Sequence, residues 1–214
     1  MQLTAKEIAD KYNGFVRWYD VVEGVLDFLG LRKLRRRLLL HATGKVLEIA
    51  VGTGKNLLHY PDGCQITAMD LSERMLAVAR KRADELSLTI GFAFMDAEKL
   101  GFPDECFDTV VSSLSTCTFP NPVVALKEMA RVCRRHGRIL LLEHGRSDRE
   151  WLGRWQDRHA DRFAKPLGCH WNREPLEFVG EADIHVLEAQ RVLFGIFHQI
   201  DAQPNRHSST YAIT

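Results

Sequence analysis

Residues 45–54 constrain the fold more than any other stretch of the chain. Residues 46–49 are an apolar run, interrupted by one acid, of the kind that forms a strand buried on both faces. Gly52 and Gly54 follow, and glycine permits a tight turn and a close approach of the backbone to a ligand. A predicted helix begins at Asn56. A strand, a glycine turn and a helix in this order form a cofactor cradle at the carboxyl end of a sheet strand.

Two familiar nucleotide-binding motifs do not match this turn. A P-loop would need glycine at Ile49 and serine or threonine at Asn56. The dinucleotide fingerprint of an NAD-dependent dehydrogenase would need a third glycine at Leu57. The pattern that does fit has an acidic residue in the strand, two small residues and a closing glycine: Glu48, Ala50, Gly52 and Gly54.

Size and composition narrow the class of protein. A chain of 214 residues predicts a single domain whose core needs no crosslinks. Its content of 45% hydrophobic and 27% charged residues is typical of a soluble globular protein. The formal charge of +1 does not indicate a general affinity for nucleic acid. No apolar stretch reaches membrane-spanning length and residues 1–4 lack a signal-peptide pattern, so we expect a cytoplasmic protein.

The cysteines are scattered along the chain. The five, at positions 64, 106, 117, 133 and 169, form no C-x-x-C pair. An odd number with this spacing predicts reduced thiols, and neither a disulfide framework nor a zinc site. We therefore expect no metal.

The periodicity predicts an α/β fold with a seven-stranded, mostly parallel sheet, helices on both faces and an antiparallel last strand. Predicted strands cover residues 45–50, 65–70, 88–95, 109–113, 138–143, 184–189 and 192–200. The parts of the single domain are a helical lid (1–41), a cofactor-binding core (45–145), acceptor-side helices with the last two strands (146–202) and a polar tail (203–214). A helix face with Trp151, Trp155, His159 and Phe163 is expected to be mostly core, with part of it lining an acceptor pocket.

A basic run lies at the end of the predicted lid. It consists of Arg32, Lys33, Arg35, Arg36 and Arg37, with no acidic residue among them. The run is either a solvated cationic face of a helix packed on the sheet or a surface that attracts anionic lipid headgroups or an anionic substrate. The second interpretation predicts peripheral attachment to the inner membrane surface.

Motifs downstream of the glycine turn carry a family resemblance. Asp70 ends the second strand, where nucleoside-binding α/β folds place a carboxylate that accepts hydrogen bonds from ribose hydroxyls. The segments 68–72, 95–100, 102–103 and 107–111 follow in order, and with the turn they resemble motifs I to IV of class I S-adenosylmethionine-dependent methyltransferases across residues 45–145.

The resemblance implies S-adenosylmethionine as cofactor and a role for each matching residue. Glu48, Ala50, Gly52 and Gly54 would hold the methionine moiety, and Asp70 the ribose. The adenine would be flanked by Leu71 and Met75 and its amino group read by Asp96 with Ala97, while Ser113 would lie near the sulfonium.

Three further segments resemble particular branches of this family. Residues 18–20 resemble the branch with ubiquinone/menaquinone C-methyltransferases and bacterial phosphatidylethanolamine N-methyltransferases. Residues 143–145 and 168–170 resemble the related animal thiol methyltransferases. These branches imply a lipophilic acceptor, with a phospholipid amine as the first expectation and a small thiol or a quinone-like molecule as alternatives. A methyltransferase-like binding subunit is the non-enzymatic alternative.

Acceptor activation depends on the reacting atom. An amine or a phenol must lose a proton or react in its neutral form, whereas a thiol ionises with little help. Candidates for a base or an orienting group are Tyr19, His144 and His170. His144 is the best placed of the three, because it follows the carboxyl end of the fifth predicted strand.

Overall fold

A computed structural model describes residues 3–205, without the side chains of residues 15, 17–19, 22, 23, 163, 166 and 167. The chain forms a seven-stranded sheet in the order β3-β2-β1-β4-β5-β7-β6. The strands are β1 (Lys45–Ile49), β2 (Gln65–Asp70), β3 (Gly91–Phe94), β4 (Phe107–Ser113), β5 (Cys133–His144), β6 (Ile184–Val192) and β7 (Phe197–Pro204). The helices are α1 (Ala5–Leu26), α2 (Arg32–Leu39), α3 (Glu73–Glu85), α4 (Pro122–Val132), α5 (Glu150–Leu167) and α6 (Pro175–Glu181).

The strand directions confirm the predicted fold class. Strands β1 to β5 pair in parallel, and β7 lies antiparallel between β5 and β6. Since β1 and β4 are neighbours although β2 and β3 lie between them in the sequence, the direction of winding reverses beside β1. A crevice forms at the carboxyl ends of the strands at such a reversal, and ligands bind there in open α/β sheets.

Local sequence explains the helices next to this crevice. Ser72 caps α3, with its side-chain oxygen accepting from the Met75 amide at 3.1 Å. The inward face of α3 carries buried Met75, Leu76, Ala79 and Ala83. Asn121 caps α4 in the same way, and proline occupies the first turn, where its missing N–H costs nothing.

The predicted helical lid is only partly right. Helix α1 covers the carboxyl ends of the strands, as expected. Helix α2 instead packs on one face of the sheet, because Leu38 and Leu39 join a buried cluster with Val46 and Leu140. Between the two helices, Asp27–Leu31 forms a π-helical turn.

Arg35 does not belong to an exposed basic face. Only 3% of its surface is accessible, its Nε lies 3.3 Å from Oδ1 of Asp27, and its Nη1 donates to Oδ1 of Asn56 at 2.9 Å. Arg35 shares one face of the helix with buried Leu31 and Leu38, four residues before it and three after. The expectation that Arg35 contacts a membrane is therefore wrong, whereas the other four basic residues of the run are exposed.

Several predicted boundaries also differ. The helix expected from Asn56 is a single 3-10 turn, Leu57–His59. Strand β5 begins at Cys133, so α4 ends two residues before the predicted Arg134. The face with Trp151 and Trp155 is not core, since these side chains are 71% and 45% exposed. Strand β7 extends to Pro204, and residues 206–214 of the predicted tail lie outside the described part of the chain.

Candidate functional site

A cleft of about 710 Å³ opens at the carboxyl ends of β1, β2 and β4. Eight of the ten residues predicted to bind the cofactor line it: Ala50, Gly52, Asp70, Leu71, Met75, Asp96, Ala97 and Ser113. The motifs therefore converge in space as the sequence predicted, and their individual binding roles stay predictions.

The turn after β1 is shaped by left-handed backbone. Ala50 has φ 50° and Gly52 has φ 56°. Such φ values strain any residue other than glycine, and backbone strain of this kind is common at ligand-binding sites. The Gly52 N–H donates to Oδ2 of Asp70 at 2.9 Å, which fixes the turn against the end of β2.

Asp70 is the central carboxylate of the cleft. Its Oδ2 accepts from Gly52, and its Oδ1 accepts from the Ser72 amide at 2.8 Å. Burial raises the pKa of Asp70 to about 6, against the lowering effect of these backbone donors. Each carboxylate oxygen has a second lone pair, so Asp70 can still accept hydrogen bonds from a ligand.

Glu48 and Gly54 lie outside the described lining of the cleft. Glu48 is buried and accepts hydrogen bonds from the Tyr60 hydroxyl at 2.8 Å and from Nδ2 of Asn56 at 3.0 Å. Burial raises the pKa of Glu48 to about 7. A side chain at Gly54 would place its Cβ 2.8 Å from Cδ1 of Leu57. These two residues support the turn from behind.

Helix α1 forms a wall of the cleft with four side chains that the motif analysis did not assign: Ala5, Ile8, Ala9 and Tyr12. Asn13 accepts from the Ser72 hydroxyl at 2.6 Å, which ties the helix to the cap of α3. Asp20 accepts from the Thr53 hydroxyl at 2.9 Å and pairs with Arg82 at 3.1 Å. These bonds hold α1 beside the glycine turn. The helical period of Ile8 and Tyr12 was the available signal, but it could not say what the face would cover.

The loop after β4 forms another wall of the cleft. Ser113, Ser115, Thr118 and Phe119 line the cleft. Glu143, completely buried at the end of β5, accepts from the Ser115 amide at 3.0 Å and from the Thr116 amide at 3.2 Å. This carboxylate therefore anchors the loop.

Of the three predicted catalytic candidates, His144 and His170 have described side chains, and these two lie in different surroundings. His170 lines a small cavity beside the cleft, and the two cavities share Ile8, Thr118 and Phe119. Burial lowers the pKa of His170, which favours the neutral imidazole that a base requires. His144 lies outside the described lining of both cavities. The side chain of Tyr19 lies outside the described residues.

His144 instead faces two cysteines. Its Nε2 lies 3.3 Å from Sγ of Cys169, which lies 3.5 Å from Sγ of Cys117. Contact with Cys117 and the charge of His144 lower the pKa of Cys169, while contact with Cys169 raises that of Cys117. Burial lowers the pKa of His144, but Cys169 outweighs it, so the pKa lies above its ordinary value. Spacing in the sequence gave no sign of this cluster.

The known proteins to which this chain is similar are methyltransferases, in agreement with a cofactor cleft at this place. A family described as "Methyltransferase domain" matches residues 47–141. A phosphatidylethanolamine N-methyltransferase from Cereibacter sphaeroides is 40% identical over 141 residues, 64% of this chain and 69% of that protein. The mitochondrial methyltransferase OMS1 from Saccharomyces cerevisiae is 31% identical over 206 residues, 87% of this chain. The chain spans only 43% of the length of OMS1.

A solved structure shows the same fold. Geranyl diphosphate C-methyltransferase from Streptomyces coelicolor, in complex with Mg²⁺, geranyl diphosphate and S-adenosyl-L-homocysteine, superimposes with a TM-score of 0.68. The alignment covers 84% of this chain and 82% of that chain at 12% identity.

The chain belongs to the S-adenosylmethionine-dependent methyltransferases. Its cofactor is S-adenosylmethionine. The cleft fits this cofactor, because it offers a half-buried carboxylate at the end of β2 beside a turn whose backbone is left-handed at Gly52. No described helix combines the length and the apolar character needed to cross a membrane.

Proposed function

We propose that this methyltransferase acts on the amine of a phosphatidylethanolamine-type phospholipid at an anionic membrane surface. The observation that carries the proposal is a docking segment, residues 21–37, in which exposed apolar side chains are followed along the chain by exposed basic ones. Its exposed members are Val21, Val25, Phe28, Leu29, Arg32, Lys33, Arg36 and Arg37. The relative from Cereibacter sphaeroides, named for this reaction, supports the same acceptor.

The apolar side chains of the docking segment are largely exposed in the part of the chain that the structure describes. Phe28 is 90% exposed and Leu29 64%, while Val21 and Val25 lie at helical spacing before them. Exposed contiguous apolar side chains mark a protein or membrane contact in soluble proteins. Basic residues directly after them favour a membrane with anionic lipids as the partner.

The energies match weak and reversible attachment. Transfer of one large apolar side chain out of water contributes about 1.5–3 kcal/mol. Each basic side chain near an anionic surface contributes about 1 kcal/mol, which salt screens. Phe28 with four exposed basic residues therefore supplies several kcal/mol, enough for transient binding without a lipid anchor.

The cleft suits an amine acceptor presented next to the cofactor. When bound, S-adenosylmethionine supplies an electrophilic methyl group. The chain contributes alignment and exclusion of water, through the wall of α1 and the anchored loop after β4. His170, whose pKa is lowered by burial, is the candidate to accept the proton of the amine.

A vesicle assay tests the docking segment. The wild type should sediment with vesicles of phosphatidylcholine and phosphatidylglycerol at low salt and be released at high salt. Arg36→Gln with Arg37→Gln should weaken sedimentation about 30-fold, given about 2 kcal/mol lost. Phe28→Ser with Leu29→Ser should weaken it at least about 100-fold, given about 3 kcal/mol or more lost. Lys81→Gln with Lys127→Gln, exposed on α3 and α4, is the matched control and should sediment like the wild type.

Incubation with labelled S-adenosylmethionine and defined acceptors tests the reaction. Label should enter phosphatidylethanolamine in mixed vesicles. Label in a small thiol or a quinol, with none in the phospholipid, would refute the phospholipid amine as acceptor and identify the labelled molecule in its place. A wild type that ignores anionic vesicles at every salt concentration would refute the docking segment.

A further inference from the structure

We propose that Cys117, His144 and Cys169 form a binding site for a zinc ion. One ligand atom from each residue lies within 4.8 Å of the other two. With usual bond lengths, the edges of a tetrahedron around zinc are about 3.8 Å between two sulfurs and about 3.6 Å between sulfur and nitrogen. The Cys117–Cys169 and Cys169–His144 distances here are 3.5 Å and 3.3 Å, within a few tenths of an ångström of these edges, and the third edge, between His144 and Cys117, is at most 4.8 Å.

The ligand types select zinc over harder cations. Two thiolates and one imidazole are the ligand set that zinc prefers, whereas calcium and magnesium take oxygen ligands. Zinc binding displaces the proton of each thiol, so the two thiolates balance the charge of the ion. Three protein ligands leave a fourth position for water or an external thiol. Cys169 and His144 are only half-buried, which gives an ion a route to the site.

Hydrogen bonds to backbone carbonyls, which leave the ligand atoms free, hold the segments that carry the three ligands together. The His170 amide donates to the carbonyl of Cys117 at 3.0 Å. The Arg173 guanidinium donates to the carbonyls of Thr116 and Phe119, each at 2.9 Å. These bonds fasten the loop after α5 to the loop after β4. Because the ligands are brought close before the ion arrives, little ordering opposes binding.

The site adjoins the wall of the cleft that the loop after β4 forms. Thr118 and Phe119, one and two residues after Cys117, line the cleft and the small cavity beside it. An ion at the cluster would fix the loop that carries both residues. The proposal concerns metal binding alone and is independent of which acceptor the enzyme methylates.

Metal titration of the reduced full chain tests the site. The protein, purified with a phosphine reductant and stripped by a chelator, should bind one zinc ion per chain in competition with a chromophoric chelator. Cobalt in place of zinc should give the visible bands of tetrahedral coordination and thiolate charge-transfer absorption. Cys117→Ser, Cys169→Ser and His144→Gln should each weaken zinc binding at least about 100-fold. Cys64→Ala and Cys106→Ala, half-buried cysteines outside the cluster, are the matched controls.

Two further measurements keep the result decisive if a variant folds poorly. Thermal melting and binding of S-adenosylhomocysteine identify the variants that are folded. In the wild type, zinc should slow alkylation of Cys169 by iodoacetamide, as mapped by mass spectrometry. Absence of zinc binding and of thiolate–cobalt bands would overturn the proposal. So would metal binding that survives Cys117→Ser with Cys169→Ser.

Discussion

Asp70→Asn should separate cofactor binding from folding. The wild-type carboxylate accepts from the amides of Gly52 and Ser72 and has lone pairs left for ribose hydroxyls. Asparagine loses the charge and one acceptor oxygen. A hydrogen bond to a charged group contributes about 1.5–3 kcal/mol, so the affinity for S-adenosylhomocysteine should fall about 10- to 100-fold.

The same substitution should change the stability of the ligand-free protein little. Burial raises the pKa of Asp70 from 3.8 to about 6, so the ionised side chain costs the folded state about 3 kcal/mol at neutral pH. Asparagine removes that cost, but its amide group faces one of the two backbone donors, which costs about 1–3 kcal/mol. The two effects oppose each other, and the melting temperature without ligand should stay within a few degrees of the wild type.

Thermal melting with and without S-adenosylhomocysteine measures both effects together. At a ligand concentration of 100 times the wild-type Kd, the ligand stabilises the wild type by about 2.7 kcal/mol, and a variant with 100-fold weaker affinity by about 0.4 kcal/mol. For a chain of this size these values correspond to shifts of about 5–11 °C and about 1–2 °C. Asp62→Asn, on an exposed turn, is the control. An Asp70→Asn shift equal to that of the wild type would refute the assigned contact.

Three further predictions concern residues behind the cleft. Burial raises the pKa of Glu48 from 4.5 to about 7, so the folded chain keeps a proton that the unfolded chain has lost, and the free energy of unfolding falls as pH rises through this window. Glu48→Gln should flatten that fall in urea denaturation at pH values across the window; an unchanged slope would contradict the pKa. Gly54→Ala should lower the free energy of unfolding by about 2–5 kcal/mol in urea denaturation, because Gly54 has a φ of 78° and an added Cβ would contact Leu57. The folded fraction should keep its cofactor affinity. An unaltered stability would show that the turn relaxes. Arg35→Gln should cost about 3–5 kcal/mol in thermal denaturation, because it leaves a partly buried acid unpaired, and exposed Arg36→Gln less than about 0.5 kcal/mol; equal losses would argue against the buried pair.

Local sequence predicted well which segments form the cofactor cleft, because each of these segments is specified by residues that are neighbours in the chain. The turn at Gly52 and the carboxylate of Asp70 are determined by a few residues after a strand, and parallel strands bring their carboxyl ends to one edge of the sheet. The basic run was interpreted less well. Its own periodicity placed Arg35 on the side of Leu31 and Leu38, so the burial of that guanidinium could have been predicted.

Periodicity identifies a helix face but not its surroundings. Trp151 and Trp155 share a face with His159, and an apolar face of this kind was expected to be core. Trp151 is exposed. Among the described aromatic contacts, the ring of Trp155 packs against the rings of His159 and Trp171. Whether another element covers a face depends on chain topology. That information is distributed over the whole sequence.

The cluster of Cys117, His144 and Cys169 shows why cysteine spacing alone could not reveal the proposed metal site. Spacing reveals a metal site when two ligands lie within one short loop, as in a C-x-x-C pair. Here each ligand comes from a different segment: the loop after β4, the end of β5 and the loop after α5. Two of these segments follow neighbouring parallel strands, whose carboxyl ends meet. The third is bound to the first by the His170 amide and the Arg173 guanidinium. The ligands are therefore brought together by the same topology that forms the cleft, and only the folded chain shows them as neighbours.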